Sequence, residues 1–454
     1  LKSLQYKYNT PDAIPVYLWK KFFKTMMNLT TLLKGMALVA LIALLQLQAL
    51  SQVQAEWRGA DRRGIYPGAG NLASWPETGP AMRWSTEVIG DGYGSPVFLD
   101  DKMYICGTID STAFLFEFDL AGKMLRKVPY GKDWTVNYVG SRNAPTIADG
   151  LIYVSTGLGD LVCIDRNTFT EKWRIDGRTG LHNTLPLFGH AESPAVEGNR
   201  VFFNPGGKDT NVVALDRFTG KIEWVCAGDG ERPGYNSALV IPLASRSVLV
   251  TFSAYSLMGI DTRDGKLLWT HPQVNIPLAE RKPGNGDTHS NTVWFDNGAI
   301  YYIAGDGNGA VRLILSPDGS SIKQVWRNPS IDNYMGGFIK LGNTIFSGSD
   351  SKKSLYSINI TTGEIADTLK CGIGALISDG QMLYYYNQRG EMNLIRPVTT
   401  GLYLGGQGTS GMELAGKFRI TMGTKEHFAH PVIYRGVLYV RHGKALMAYD
   451  IKGK

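Results

Sequence analysis

Along most of this chain, apolar and polar positions alternate in short runs that are cut by glycine-rich turns. Residues 212–224, VVALDRFTGKIEW, show the unit. Residues 212–215 are an apolar run of the length a buried strand uses, and Lys221-Ile222-Glu223-Trp224 alternates as a half-buried strand does. Between them, Asp216 is placed to accept backbone N–H bonds from the turn, and Gly220 supplies the positive φ that such turns often need. The pattern predicts a hairpin with a large aromatic anchor on its second strand. It returns as GIDTRDGKLLW (259–269), which keeps Asp261, Gly265 and Trp269 in step. CIDRNTFTEKW (163–173) keeps Asp165 and Trp173 but has Phe169 where the glycine belongs, and FDLAGKML (118–125) and INITTGEIAD (358–367) are eroded copies.

A second signature, a turn followed by an aromatic or β-branched strand, occurs eight times, from DDKMYIC (100–106) to RGVLYVR (435–441). Its spacing of about 40 to 55 residues is that of four-stranded propeller blades. The pattern predicts an all-β fold, an eight-bladed β-propeller of four-stranded antiparallel blades. Each unit reads strand A, turn, strand B, loop, strand C, the Asp-to-Gly turn, strand D. The last unit reaches AYDIKG (448–453) without a strand D, while AMRWSTEVI (81–89) precedes the first strand A and carries Trp84 where other units carry Trp224. Pairing the two closes the ring with an N-terminal strand and removes two exposed sheet edges. The weak stretch 396–418 leaves a seven-bladed count open. Trp173, Trp224, Trp269 and Trp326 are expected to wedge between neighbouring blades.

Charge changes the picture little. The formal net charge is +7, but residues 1–55 hold six Lys and one Asp, so residues 56–454 carry about +2 and no basic stripe of the kind a nucleic-acid partner selects. The excess belongs to a targeting segment: MALVALIALLQLQAL (36–50) follows Lys34 and precedes Val53-Gln54-Ala55, small residues suited to signal cleavage. We expect an N-terminal extension and signal peptide over 1–55, with translation starting at Met26 or Met27, and cleavage after Ala55. A single propeller domain over 56–454 then follows, periplasmic or secreted, monomeric, with no membrane anchor left after cleavage. Cys106, Cys163, Cys226 and Cys371 are far apart and read as core residues, with a disulfide left open by the oxidising compartment.

Candidate chemistry collects just before each strand A, where loops open beside the channel. Tyr93, Asn143, Glu192, Asn236, His289, Asn291, Asn333, Tyr334, His427 and His430 form a ring of amides, imidazoles, phenols and a carboxylate. A concave site with convergent polar groups is the default binding site. Tight turns also recruit Asn, so each amide has an alternative structural reading.

ALDRFTGKIEW (214–224), together with WRGADRRGIYP (57–67), GDGYGSPVF (90–98), HAESPAVEGNRVFFNPGGKDTNVVALD (190–216) and GERPGYNSALVI (230–241), resembles the PQQ-binding-like β-propeller repeat proteins of the quinoprotein alcohol dehydrogenase superfamily. These are distantly similar to the propeller lipoprotein of the outer-membrane β-barrel assembly machinery. The resemblance implies a PQQ cofactor over Ca2+, with Glu192 and Asn236 as metal ligands. It also implies that Asn143, Asn291, Asn333, Arg142 and Arg232 contact the cofactor, with Lys208 and Arg281 nearby, and that Glu192 and His289 are catalytic. The chain departs from the enzymes in lacking their adjacent cysteine pair and a C-x-x-C-H haem site. Two functions follow: an exported binding or scaffold propeller with a small molecule or protein partner at the channel face, or a PQQ- and Ca2+-dependent dehydrogenase of an alcohol or sugar.

Overall fold

The computed structural model describes residues 53–68, 70–400 and 409–453. The expected apolar targeting run lies outside them. Contacts divide the chain after Ser51, and residues 52–454 form one compact unit.

Eight antiparallel sheets make up that unit. Blades 1 to 7 span residues 97–132, 146–175, 195–226, 239–272, 294–328, 338–369 and 374–419, each built in A-B-C-D order. The doubtful stretch supplies the outer hairpin of blade 7, Glu391–Thr400 paired with Thr409–Arg419, so the count is eight. Blade 8 takes strands A to C from Val432–Tyr434, Val437–His442 and Ala445–Asp450, and its outer strand from Ala81–Thr86. The closing pair runs from Ala81 opposite Asp450 to Thr86 opposite Leu446. Burial follows the same architecture. The buried apolar side chains fall into eight clusters, and each cluster joins two neighbouring blades, as Leu239, Val250 and Trp269 of blade 4 join Ile300, Val311 and Leu313 of blade 5. The core is therefore a ring of joints, and no blade has a core of its own. The four cysteines are free, three of them buried.

The recurring Asp-to-Trp phrase explains how blades dock. Asp216 Oδ1 accepts from the backbone N–H groups of Phe218 and Thr219, which fixes the turn, and Gly220 takes φ 74°. The indole of the preceding blade then lies on that turn: Trp173 donates Nε1–H to Arg217 O at 3.0 Å, and a Cβ on Gly220 would sit 2.7 Å from its ring. Trp224 repeats this on blade 4, with Thr262 O at 3.1 Å and Gly265 beneath the ring. Trp326 repeats it on blade 6, with Ile360 O at 3.1 Å and Gly363. Trp269 donates to Gly319 O on blade 5. Trp84, on the closing strand, donates to Leu120 O at 2.9 Å and covers Gly122, so the strand contributed from the N-terminal side makes the same joint as the others. Blades 1, 6 and 7 have no tryptophan on strand D, and the joint from blade 1 to blade 2 shows a different contact. Blade 2 has no glycine in its turn; Phe169 occupies the space at φ 58° while Arg126 of blade 1 lies over its ring at 4.5 Å and donates to Asn167 O and Arg166 O.

Residues 53–66 run along the inner strands inside the ring and leave a cavity of about 200 Å3 between themselves and blades 1 and 8. Val53–Ala55, which lies just before the expected cleavage point, adds a fifth strand to blade 2 by pairing with Thr146–Ala148. Arg58, 3% exposed, donates to Leu376 O of blade 7 at 2.9 Å, Phe338 O of blade 6 at 3.1 Å and His430 Nδ1 at 2.7 Å. Arg62 donates to Pro194 O beside blade 3 and pairs with Glu56 at 3.1 Å. Tyr66 N–H bonds Ser378 O of blade 7. Burial lowers the Arg58 pKa to about 10, and its charge is solvated by carbonyl dipoles in place of water.

The docking rule makes a paired prediction. Gly265 and Gly298 both take φ 75°, but a Cβ at Gly265 overlaps Trp224 whereas one at Gly298 meets nothing within 4 Å. Gly298→Ala should cost about 1–2 kcal/mol from backbone strain alone. Gly265→Ala should cost that plus a further ~1–3 kcal/mol from overpacking. Denaturant melts of the two variants check this, and equal losses would remove the docking explanation.

Candidate functional site

The loops that join strand D of one blade to strand A of the next all open on one face. There they surround a cavity of about 410 Å3 at the mouth of the channel. Trp57, from the channel segment, forms part of its lining, and its ring meets His430 edge-on at 5.3 Å. Around it stand Tyr93, Tyr138, Phe188, Tyr235, Tyr334 and Phe428, with Ser193, Ser237, Thr288 and Ser290 among them. The aromatic side chains touch in series: Tyr93 to Phe428 at 5.5 Å, Phe428 to Tyr138 at 5.7 Å, Tyr138 to Phe188 at 5.8 Å and Phe188 to Tyr235 at 5.8 Å. Each comes from a different loop, so only the closed ring assembles the belt. The charged lining residue is Arg142, whose Nη1 donates to Gly140 O at 3.1 Å and whose Nη2 donates to Asn137 O and Tyr138 O at 2.8 and 2.7 Å.

The sequence-predicted residues lie in these loops but mostly on their other side. Tyr93, Arg142, Tyr334 and His430 line the cavity. Asn143, Glu192, Asn236, His289, Asn291 and Asn333 are buried behind it, while their neighbours in sequence face it: Arg142; Ala191 and Ser193; Tyr235 and Ser237; Thr288 and Ser290; Tyr334. Successive side chains of an extended segment point to opposite sides, and here the amides take the inward side. They are used as staples. Asn143 Nδ2 donates to Ser155 O; Asn236 Oδ1 accepts from Phe252 N at 3.2 Å. Asn291 Nδ2 donates to Ile303 O at 3.0 Å and Asn333 Nδ2 to Ser347 Oγ at 3.0 Å. In every case the loop before strand A is tied to strand B of the same blade, at a backbone group in the first three and at the Ser347 hydroxyl in the fourth.

Glu192 is the carboxyl version of this staple. Its Oε2 accepts from Asn204 N at 2.7 Å, its Oε1 has no partner, and burial raises its pKa to about 8. His289, 1% exposed, turns Nε2 toward Ala254 O and Gly286 O at 3.1 and 3.0 Å and toward Gln273, and burial pushes its pKa down to about 4. Arg232 is ion-paired with Asp287 at 2.5 Å. His427 and His430 do not converge: His427 stacks on His442 at 3.6 Å and bonds the Tyr386 hydroxyl, whereas His430 accepts from Arg58 and faces Met335 O at 2.7 Å. Among the described residues no three His, Cys, Asp or Glu side chains are grouped as a metal site. Sequence reasoning passed over Tyr138, Phe188, Tyr235 and Phe428; their one signal was large apolar side chains in loops otherwise built of turn residues.

Residues 127–368 match the PQQ-like repeat family model described as outer membrane protein assembly factor BamB. This chain belongs to that family. Among curated relatives of this PQQ-like repeat protein, quinoprotein alcohol dehydrogenase PedH of Pseudomonas putida is 26% identical over 202 residues, which are 40% of this chain and 33% of PedH. Quinoprotein ethanol dehydrogenase of Pseudomonas aeruginosa is 22% identical over 198 residues, 43% of this chain and 24% of the enzyme. The match thus spans a third or less of these relatives' length. Among solved structures, BamB from Moraxella catarrhalis superposes with a TM-score of 0.57 at 13% identity, over 82% of this chain and 99% of that one. Quinohemoprotein alcohol dehydrogenase ADHIIG from Pseudomonas putida gives 0.57 at 12% identity, over 89% and 80%. At such identities the likeness is one of fold.

The raised pKa of Glu192 predicts a pH effect. In the unfolded chain the group releases its proton near 4.5, and in the folded chain only near 8, so the folded state holds more protons across that window. Stability should therefore fall as pH rises from 4.5 to about 8 and level off above it. Glu192→Gln removes that loss: the variant and the parent should melt together near pH 4.5, and the variant should be the more stable near pH 8. Parallel melting curves across the window would show an ionised Glu192 in the fold.

Proposed function

We propose that this protein is an exported binding propeller that holds a small ligand in the cavity at the channel mouth and presents the surrounding loops as a scaffold. The observation that carries this reading is the aromatic belt itself. Large aromatic side chains from separate loops converge on a half-enclosed space, whereas a loop face serving only to connect strands has no need to line one. Export is supported by the apolar run 36–50 and by the outer-membrane assembly role in the family description.

The enzyme alternative rests on the quinoprotein relatives, and the residues at this cavity do not fit its cofactor. PQQ is a planar tricarboxylate, and among the described residues the charged group lining the cavity is Arg142 alone, already donating to three carbonyls. The carboxyl group of Glu192 lies behind the wall and favours its protonated form, a poor calcium ligand, and the amide oxygen of Asn236 is bonded to Phe252 N.

Two measurements test the reading. In a fragment screen by saturation-transfer NMR, hits should compete with one another and disappear in Ala191→Trp, which fills the cavity from its wall. Hits that survive that variant would place binding elsewhere. In parallel, PQQ and Ca2+ should give no saturable complex at micromolar concentrations and no reduction of an artificial acceptor by alcohols or sugars. A calcium-dependent complex lost in Glu192→Gln would establish the dehydrogenase instead.

A further inference from the structure

Resting on that reading of the cavity, we infer that its ligand is a planar aromatic monocarboxylate, with the carboxylate on Arg142 and the ring against the aromatic belt. Three observations lead there. First, charge: Arg142 is held by the backbone carbonyls of Gly140, Asn137 and Tyr138 and by no carboxylate among the described residues, leaving its Nε–H and one Nη1–H for a ligand. Asp133, the carboxylate that acts on it, is buried and accepts from Thr108 Oγ1, Trp134 N and Gly157 N.

Second, two further arginines stand behind the cavity wall. Arg58, which bonds the cavity's His430, has only neutral acceptors. Arg441, 1% exposed, donates to Gly94 O, Cys106 O, Gly90 O and Gly443 O, again all neutral. Asp133 acts on Arg142, Asp91 acts on Arg441 and Glu426 accepts from the cavity's Tyr93, so nearby carboxylates offset part of this charge, and the charge that a ligand meets in the lining is that of Arg142. His430 adds no charge, because Nδ1 accepts from Arg58 while Nε2 donates to Met335 O.

Third, the rest of the lining selects the body of the ligand. The wall is aromatic, and among the described residues no Asp, Glu, Asn or Gln lines the cavity to accept protons from the hydroxyls of a sugar. Ser193 and Ser237 already accept backbone N–H groups. A single engaged arginine matches one carboxylate, and stacking on Tyr or Phe faces favours a flat ring over a saturated one.

The test compares three probes on the unmodified protein by calorimetry: 2-naphthoate, its neutral isostere 2-naphthamide, and cyclohexanecarboxylate. The acid should bind about tenfold or more tightly than the amide, from charge-assisted hydrogen bonding in a partly desolvated site. It should also bind more tightly than the saturated acid. The acid-over-amide preference should vanish in Arg142→Gln. Because the comparison of probes needs no variant, it stands even if that substitution disturbs the loop. Amide binding equal to or tighter than acid, or hits from the NMR screen that bind where 2-naphthoate does not, would overturn the ligand class and leave the cavity reading standing. Failure of all three probes together with an empty screen would overturn both.

Discussion

At four of the eight joints a blade is held to the next by an indole laid on a glycine turn, and the closure of the ring uses one of them. The joint needs two partners from different blades: a turn with no side chain at the contact, as at Gly220, Gly265 and Gly363, and a ring that also reaches a carbonyl beside that turn. Because every hydrophobic cluster straddles two blades, no blade can bury its apolar faces until its neighbours are in place. Closure is then an energetic requirement. Pairing Ala81–Thr86 with Ala445–Asp450 completes the last sheet and brings Trp84 onto Gly122, so the same act removes two free edges and makes the joint between blades 8 and 1.

A closed ring leaves a channel whose inner strands expose carbonyl groups that water or protein must satisfy. Here the protein does so with arginines. Arg58, Arg62 and Arg63 on the channel segment reach carbonyls of Leu376, Phe338, Pro194 and Phe295 on separate blades. A guanidinium suits this task, since its several N–H donors diverge in one plane and remain charged when partly desolvated. The segment therefore ties blades that do not touch each other, and it sets the depth of the cavity by placing Trp57 in its lining. The fold and the candidate site share this one element.

Much of the architecture was legible in the primary structure. The blade count, the closing strand, the tryptophan joints and the loops that carry the site all follow from a repeated phrase and its spacing. The site was legible only to the level of the loop. Glu192, Asn236 and His289 drew attention because their groups can do chemistry, yet each is spent on holding the loop to a distant backbone atom, Asn204 N, Phe252 N and Ala254 O respectively. The residues on either side of each face the cavity. A shift of one residue in an extended segment exchanges the two sides, and nothing local in the chain marks which side is which.

What the sequence determined by itself is periodic and local: hairpins, turns, and the complementary ring and glycine that dock them, because a repeat constrains each unit to pack as its neighbours do. The tertiary structure alone decided which side of each loop meets the cavity, that residues 53–66 run inside the ring, and that Arg142, Arg58 and Arg441 are held by backbone carbonyls, with no carboxylate bonded to them among the described residues. Those facts depend on groups brought together from opposite parts of the ring, and such meetings are set by three-dimensional packing, which neighbouring residues in the chain do not encode.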